Sequence, residues 1–197
     1  MHYEYLKTPH GRMLLVSTDR GLAGLYFVGQ RHYPALDGAR HRRAGAGLAR
    51  QAKRQLAEYF AGKRKRFTLP LDPTGTAFQR AIWREIARVG FGETITYAEL
   101  ARRAGYPGSA RAAGAATGRN PLGIIVPCHR IIGSNGSLTG YAGGLARKQA
   151  FLALEGRAFP TAARPRRRRA AAAPAAPRRS SAARRSSSSS PARAPAS

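Results

Sequence analysis

The tetrapeptide Pro127-Cys128-His129-Arg130 puts a thiol, an imidazole and a guanidinium on neighbouring residues. The thiolate is the reactive form of cysteine, and its pKa falls beside a cationic or hydrogen-bonding neighbour. His129 and Arg130 are therefore the residue types that would activate Cys128 as a nucleophile. Glu155, at the end of a helical stretch downstream, is the acid that could orient His129 and complete a Cys128, His129, Glu155 relay. Each has an ordinary alternative, since a lone cysteine usually packs as a small apolar side chain and a glutamate usually faces water. The same three residues would also serve a cysteine hydrolase. Cys128 is the only cysteine of the chain, which excludes an internal disulfide and a cysteine-built metal cage. His2, His10, His32 and His41 lie without ligand spacing and are expected on the surface or in loops, so neither metal nor cofactor is expected.

The elements that must hold the thiol can be read outward from it. Residues 123–126 are an apolar, β-prone run that ends at Pro127, and Ile131 and Ile132 follow, so Cys128 is expected at a strand-to-turn corner. Residues 133–136 form a turn, and residues 139–144 a glycine-rich loop of backbone donors. A helix over 145–154 follows, with Phe151, Leu152 and Leu154 inward, closed by Glu155 and Gly156. Upstream, residues 74–76 offer a threonine cap for a helix whose apolar face is Phe78, Ile82, Trp83, Ile86 and Val89, and Gly90 and Gly92 stop it. A short extended segment, 94–97, leads into a helix over 98–104 with Leu100 and Ala101 inward. Residues 105–108 cannot continue that helix, and Ser109 is placed to cap a second one over 110–117. Two short helices joined by a tight glycine-containing turn fit a helix-turn-helix. Alanine and glycine on the second helix would let its backbone approach a groove, with Arg111 as the only long side chain near its start; close packing in a core is the alternative.

Before residue 73 the pattern is a small α/β unit with no constellation of catalytic residue types. Strands are expected over 13–17 and 22–28, turned at Asp19, Arg20 and Gly21, then a helix carrying Leu48, Ala52, Leu56, Tyr59 and Phe60 and closed by Gly62. Beyond Phe159 the chain is almost entirely Ala, Pro, Arg and Ser, which cannot bury enough apolar surface to offset chain entropy and is expected to be disordered. The expected organisation is an α/β (α+β) chain: an amino-terminal α/β domain over 1–73, a mainly helical helix-turn-helix domain carrying the cysteine over 74–157, and a basic tail over 158–197.

Charge points to a polyanionic partner. The chain has 35 Lys plus Arg against 9 Asp plus Glu, a formal +26; eleven of the arginines lie in residues 157–197, which leaves +15 for residues 1–156. Nucleic acid is the first candidate and an anionic membrane surface the second. The tail would either add sequence-independent phosphate contacts or act as a solubilising extension. No stretch approaches the roughly 20 apolar residues of a membrane span. Residues 1–5 carry Glu4 and no apolar run, so no leader is expected.

Asn120-Pro121, a short apolar linker, Pro127-Cys128-His129-Arg130, Gly140-Tyr141-Ala142-Gly143-Gly144 and Leu154-Glu155-Gly156 occur together and in order. Over residues 76–156 the chain resembles the O6-alkylguanine-DNA alkyltransferases, also called methylated-DNA-protein-cysteine methyltransferases. Residues 1–72 share only the layout of that family's variable first domain, and the tail has no counterpart. The resemblance implies that Cys128 accepts the alkyl group, that His129 acts as base through a water, and that Glu155 orders His129. It also implies that Tyr97 hydrogen-bonds the extruded guanine, that Arg111 enters the base stack, and that Asn120 supports the active-site turn. Ala142 stands where some relatives have serine, so contacts from that loop would come from backbone amides. A zinc site found in some relatives' first domain cannot form with one cysteine. The DNA-facing set expected is Ser109, Ala110, Arg111, Ala112, Ala113 and Gly114, with Arg130 and Tyr141.

The resemblance implies single-turnover DNA repair. An alkyl group would move irreversibly from O6-methylguanine, with O4-methylthymine as a further candidate, in double-stranded DNA to Cys128, without metal or cofactor. The protein is expected to be a monomer in the cytoplasm, associated with the nucleoid if bacterial, and to have no membrane partner. The alternative from another class is a non-catalytic helix-turn-helix protein that binds or compacts DNA.

Overall fold

The computed structural model of the chain describes residues 1–36 and 47–159, together with the strand formed by residues 40–41. The expected tail beyond Phe159 lies outside the described residues, as does the side chain of His41. Met1–Pro160 form one compact unit, in which buried residues from Leu6 to Phe151 belong to a single hydrophobic core.

The first half is a four-stranded sheet, ordered β3-β2-β1-β4, with one helix. Strands β2 (Gly11–Ser17) and β3 (Leu22–Phe27) form the expected antiparallel hairpin, with Met13 opposite Phe27. Its turn closes through Thr18 N–H to Gly21 O at 2.9 Å. Strand β1 (His2–Thr8), absent from the sequence expectation, pairs antiparallel with β2, and β4 (Arg40–His41) adds in parallel. His2 therefore sits in a strand. Helix α1 (Leu48–Phe60) lies against β1 and buries Ala52, Leu56 and Tyr59, spaced at one helical face.

The second half is helical. Helix α2 (Ala77–Arg88) begins with a reciprocal capping box: Gln79 N–H donates to Thr76 Oγ1 at 3.2 Å, and Thr76 N–H donates to Gln79 Oε1 at 2.9 Å. Strand β5 (Ile95–Thr96) pairs in parallel with β6 (Ile131–Ile132), and Thr96 caps α3 (Tyr97–Arg103). Helix α4 (Ala110–Gly118) packs on α2 and α3, and Trp83 Nε1 donates to Ala116 O at 2.9 Å across the α2–α4 contact. Ser109 occupies the cap position of α4, but its side chain makes no capping bond, because its backbone is not extended there. Helix α5 (Leu145–Leu154) closes the fold over the span expected.

Residues 123–126 are not a strand. The Asn120 side chain takes up the local hydrogen bonds instead: Leu122 N–H donates to its Oδ1 at 3.0 Å, and its Nδ2 donates to Val126 O at 2.8 Å. The run becomes a tight buried turn with Ile124 at φ 72°, touching β3 through a single parallel bridge from Leu25 to Leu122.

Removing one half of the capping box should cost a fixed increment of stability. Thr76→Ala is expected to lower the unfolding free energy by about 1 kcal/mol, measured by urea titration with unchanged denaturant slope.

Candidate active site

The turn stapled by Asn120 delivers Cys128 as the first residue of a 3-10 turn, Cys128–Arg130, closed by Arg130 N–H to Pro127 O at 2.9 Å. The parallel pairing of β6 with β5 fixes the chain just beyond it. Cys128 is only 7% exposed. Burial pushes its thiol pKa up, while a hydrogen bond from Asn120 and the nearby Lys148 charge pull it down.

His129 is completely buried and Glu155 is 5% exposed. Glu155 is therefore no surface residue. Its Oε1 accepts from Tyr59 Oη at 2.7 Å, His129 Nε2 at 2.9 Å and an Arg130 N–H at 2.8 Å, and its Oε2 accepts from Arg130 Nε at 2.8 Å and Gly92 N–H at 3.1 Å. Gly92 is at φ 75°, and a Cβ there would stand 3.0 Å from Glu155 O, so the approach requires glycine. Burial opposes the Glu155 charge, but the bonds from His129 and Arg130 prevail and hold its carboxyl well below the usual range. An ionised carboxylate only accepts, so His129 carries its proton on Nε2, and Nδ1 is left as a bare acceptor. That Nδ1 is buried and has no hydrogen-bond partner among the described residues. Burial lowers the His129 pKa, against the pull of Glu155.

Lys148 on α5 is also fully buried. Its Nζ donates to Ile131 O at 2.5 Å and Thr139 O at 2.8 Å, which ties the glycine-rich loop to the strand after the thiol. Burial pulls its pKa down to about 8, opposed by Cys128. The Tyr97 hydroxyl donates to the same Thr139 carbonyl at 3.1 Å. Arg147 donates to His10 O at 2.8 Å and Gly143 O at 2.7 Å, so the β1–β2 turn also grips this loop. Tyr141 in the loop is half-buried, edge-on to Phe151.

The structure thus brings together Cys128, His129, Glu155, Asn120 and Tyr97. On α4, Arg111 and Ala112 are exposed, and Ser109, Ala110 and Gly114 are partly so. Two residues expected to face DNA do not. Ala113 is 0% exposed because it lies on the inward side of α4, and Arg130 is 6% exposed with its guanidinium committed to Glu155 and to Val89 O. The first segment, which shows no constellation of catalytic residue types in sequence, contributes one side chain here, since Tyr59 on α1 reaches Glu155. Tyr59 and Lys148 were not among the sequence candidates. For Lys148 a signal was present: Lys148, Phe151, Leu152 and Glu155 recur at helical spacing along α5 and its end, two charges within an apolar stripe. Among the described residues no group of three or more His, Cys, Asp or Glu could hold a metal ion, and no helix is long and apolar enough to cross a membrane.

Residues 1–73 match the family described as 6-O-methylguanine DNA methyltransferase, ribonuclease-like domain, and residues 77–157 match 6-O-methylguanine DNA methyltransferase, DNA binding domain. The methylated-DNA–protein-cysteine methyltransferase of Mycolicibacterium paratuberculosis is 45% identical over 163 residues, covering 82% of this chain and 96% of that protein. The chain belongs to the methylated-DNA–protein-cysteine methyltransferase family. The relative of that name from Methanosarcina acetivorans is 43% identical over 157 residues, 79% of this chain and 99% of its own. Among solved structures, Mycobacterium tuberculosis OGT in complex with DNA matches with a TM-score of 0.73 at 41% identity, over 79% of this chain and 92% of that one. As in these methyltransferases, a mixed α/β first half precedes a helical second half.

The buried cluster makes this methyltransferase sensitive to acid. His129 has a folded pKa below its ordinary 6.5, so on acidification the unfolded chain binds a proton that the folded one refuses, and stability falls as pH drops below about 6.5. The Glu155 contribution is present above its ordinary 4.5 and is lost as pH falls below it toward the depressed folded value. Urea unfolding at stepped pH should show both losses. Arg130→Met, which leaves the buried carboxylate short of its cation, should lower stability by about 3–5 kcal/mol at neutral pH.

Proposed function

We propose that this protein repairs DNA by moving the alkyl group of O6-methylguanine in a duplex onto the sulfur of Cys128, once per molecule. The observation that carries it is that a family whose activity is methyl transfer from DNA to a protein cysteine here has one cysteine to receive it. The rest follows from the chemistry of the site. His129 Nδ1, which faces no donor among the described residues, takes the thiol proton through an intervening water. The thiolate attacks the alkyl carbon in line, the carbon–sulfur bond forms as the carbon–oxygen bond breaks, and the electron pair leaves with guanine. Tyr97 Oη donates a hydrogen bond to that leaving base. Its present acceptor, Thr139 O, keeps the bond from Lys148 when Tyr97 turns away. The thioether product has no group nearby that would cleave it, which makes the reaction single-turnover.

The target atom lies within the stacked duplex, so the nucleotide must be extruded, at a cost of a few kcal/mol. Arg111, exposed near the start of α4, is the side chain suited to fill the gap. Ser109, Ala110, Ala112 and Gly114 keep the surrounding helix surface small enough for close backbone approach, and Tyr141 lies in the glycine-rich loop that would receive the base. O4-methylthymine presents the same aryl ether and is the second substrate to try. The protein works as a monomer in the cytoplasm, on the nucleoid in a bacterial cell.

Incubation with duplex O6-methylguanine DNA should add one methyl group to the Cys128 peptide, read by mass spectrometry; an unmodified peptide would leave a DNA-binding protein without chemistry. Cys128→Ser should abolish transfer while keeping DNA affinity, because a serine hydroxyl is far less ionised than a thiol. Tyr97→Phe should slow transfer by about a hundredfold from duplex and free base alike. Arg111→Ala should slow only the duplex reaction, and equal slowing of both substrates would remove Arg111 from the extrusion step.

A further inference from the structure

The hydroxyl of Tyr59 lies inside the Glu155 cluster, yet it comes from α1, within the residues that match the ribonuclease-like family domain rather than the DNA-binding one. Its ring is fully buried, edge-on to Phe60 and Phe91 and tilted against Phe67, which gives the hydroxyl one fixed direction. It donates to Glu155 Oε1 at 2.7 Å and stands 3.5 Å from His129 Nε2. The same carboxylate oxygen receives the His129 N–H at 2.9 Å.

We propose that Tyr59 is a positioning residue for alkyl transfer, one that sets the proton affinity of His129 by sharing the Glu155 oxygen to which His129 donates. The proposal rests on His129 serving as the base for Cys128. Each donor on a carboxylate oxygen draws off part of its negative charge and weakens what it offers the next donor. With Tyr59 in place, Glu155 stabilises the imidazolium less, and His129 stays a neutral base with Nδ1 open toward a proton. Without the hydroxyl, Oε1 keeps His129 and one Arg130 N–H, becomes the stronger acceptor for both, and raises the proton affinity of His129.

The other groups facing His129 do not explain this away. Arg130 and Cys128 belong to its own turn, and Lys148 and Glu155 to α5 and its end. The positive charges of Arg130 and Lys148 oppose protonation of His129. Lys148 loses its charge only around pH 8, above the range in which His129 titrates. Tyr59 itself stays protonated there, since burial and the Glu155 charge push its pKa well up, so it acts as a constant donor. The proton relay is then completed by the first half of the chain.

The test compares the full chain with Tyr59→Phe, which keeps the buried ring and removes the hydroxyl, and with fluorotyrosine at position 59, whose hydroxyl is a stronger donor. Two readouts are taken across the imidazole range around 6.5: the pH profile of the transfer rate constant from O6-methylguanine duplex, and the nitrogen NMR titration of the His129 ring. Tyr59→Phe should raise both midpoints by about half a pH unit to one, the scale of one hydrogen bond to a charged group. Fluorotyrosine should move them down. A purely structural role would change melting temperature and leave the midpoints where they are, and unmoved midpoints overturn the proposal. If Tyr59→Phe does not fold, the fluorotyrosine protein decides alone by the same criterion. Failure of the wild-type chain to transfer any alkyl group would refute the repair activity instead, and the NMR titration would still decide whether Tyr59 tunes His129.

Discussion

A carboxylate almost cut off from water can remain ionised only if the protein supplies the donors that water would have supplied. Glu155 obtains five hydrogen bonds, and their sources are spread along the chain: Tyr59 on α1, Gly92 after α2, and His129 and Arg130 in the turn that carries the thiol. One buried anion therefore fixes where four segments meet. The imidazole beside Cys128 has its ring orientation and its tautomer set by that anion, and the guanidinium next to it is held from the other side by the Val89 carbonyl. A displacement of α1, of α5 or of the Gly92 turn would be felt at the thiol.

The local elements were well expressed in the residues. Thr76 with Gln79, the glycine after α1, and the Leu145–Leu154 helix follow from capping and periodicity, whose causes are short in range. The thiol, its histidine and the distant acid were legible through the motif they form with Asn120 and the glycine-rich loop. What escaped was tertiary. Tyr59 sits at a helical core position where any aromatic would satisfy the pattern, and nothing nearby in sequence shows that its hydroxyl meets Glu155. The strand expected over 123–126 failed for a related reason: β-prone side chains lost to one asparagine whose amide bonds the turn from inside. Arg130 stood among the residues expected to face DNA, and nothing local in sequence shows that the buried Glu155 claims its guanidinium.

Small residues do two separate jobs on α4. Ala113 and Ala116 allow the helix to lie close to α2 and α3, where the Trp83 indole reaches a backbone carbonyl. Ala112, on the other side, leaves a low surface beside Arg111. The same composition that lets the helix pack tightly inward keeps its outer face flat, so the two explanations of an alanine-rich helix both hold, residue by residue.

The burial of Cys128 has a practical corollary because no other sulfhydryl exists in the chain. A population of these molecules is a mixture of unused and consumed copies, and the two differ by a single titratable sulfur. Bulky thiol reagents would be slow to reach it in the folded protein, whereas the unfolded chain exposes it fully. Counting sulfhydryls after unfolding would therefore count the copies still able to react, and their decline with added lesion DNA would give a stoichiometry without any label on the nucleic acid.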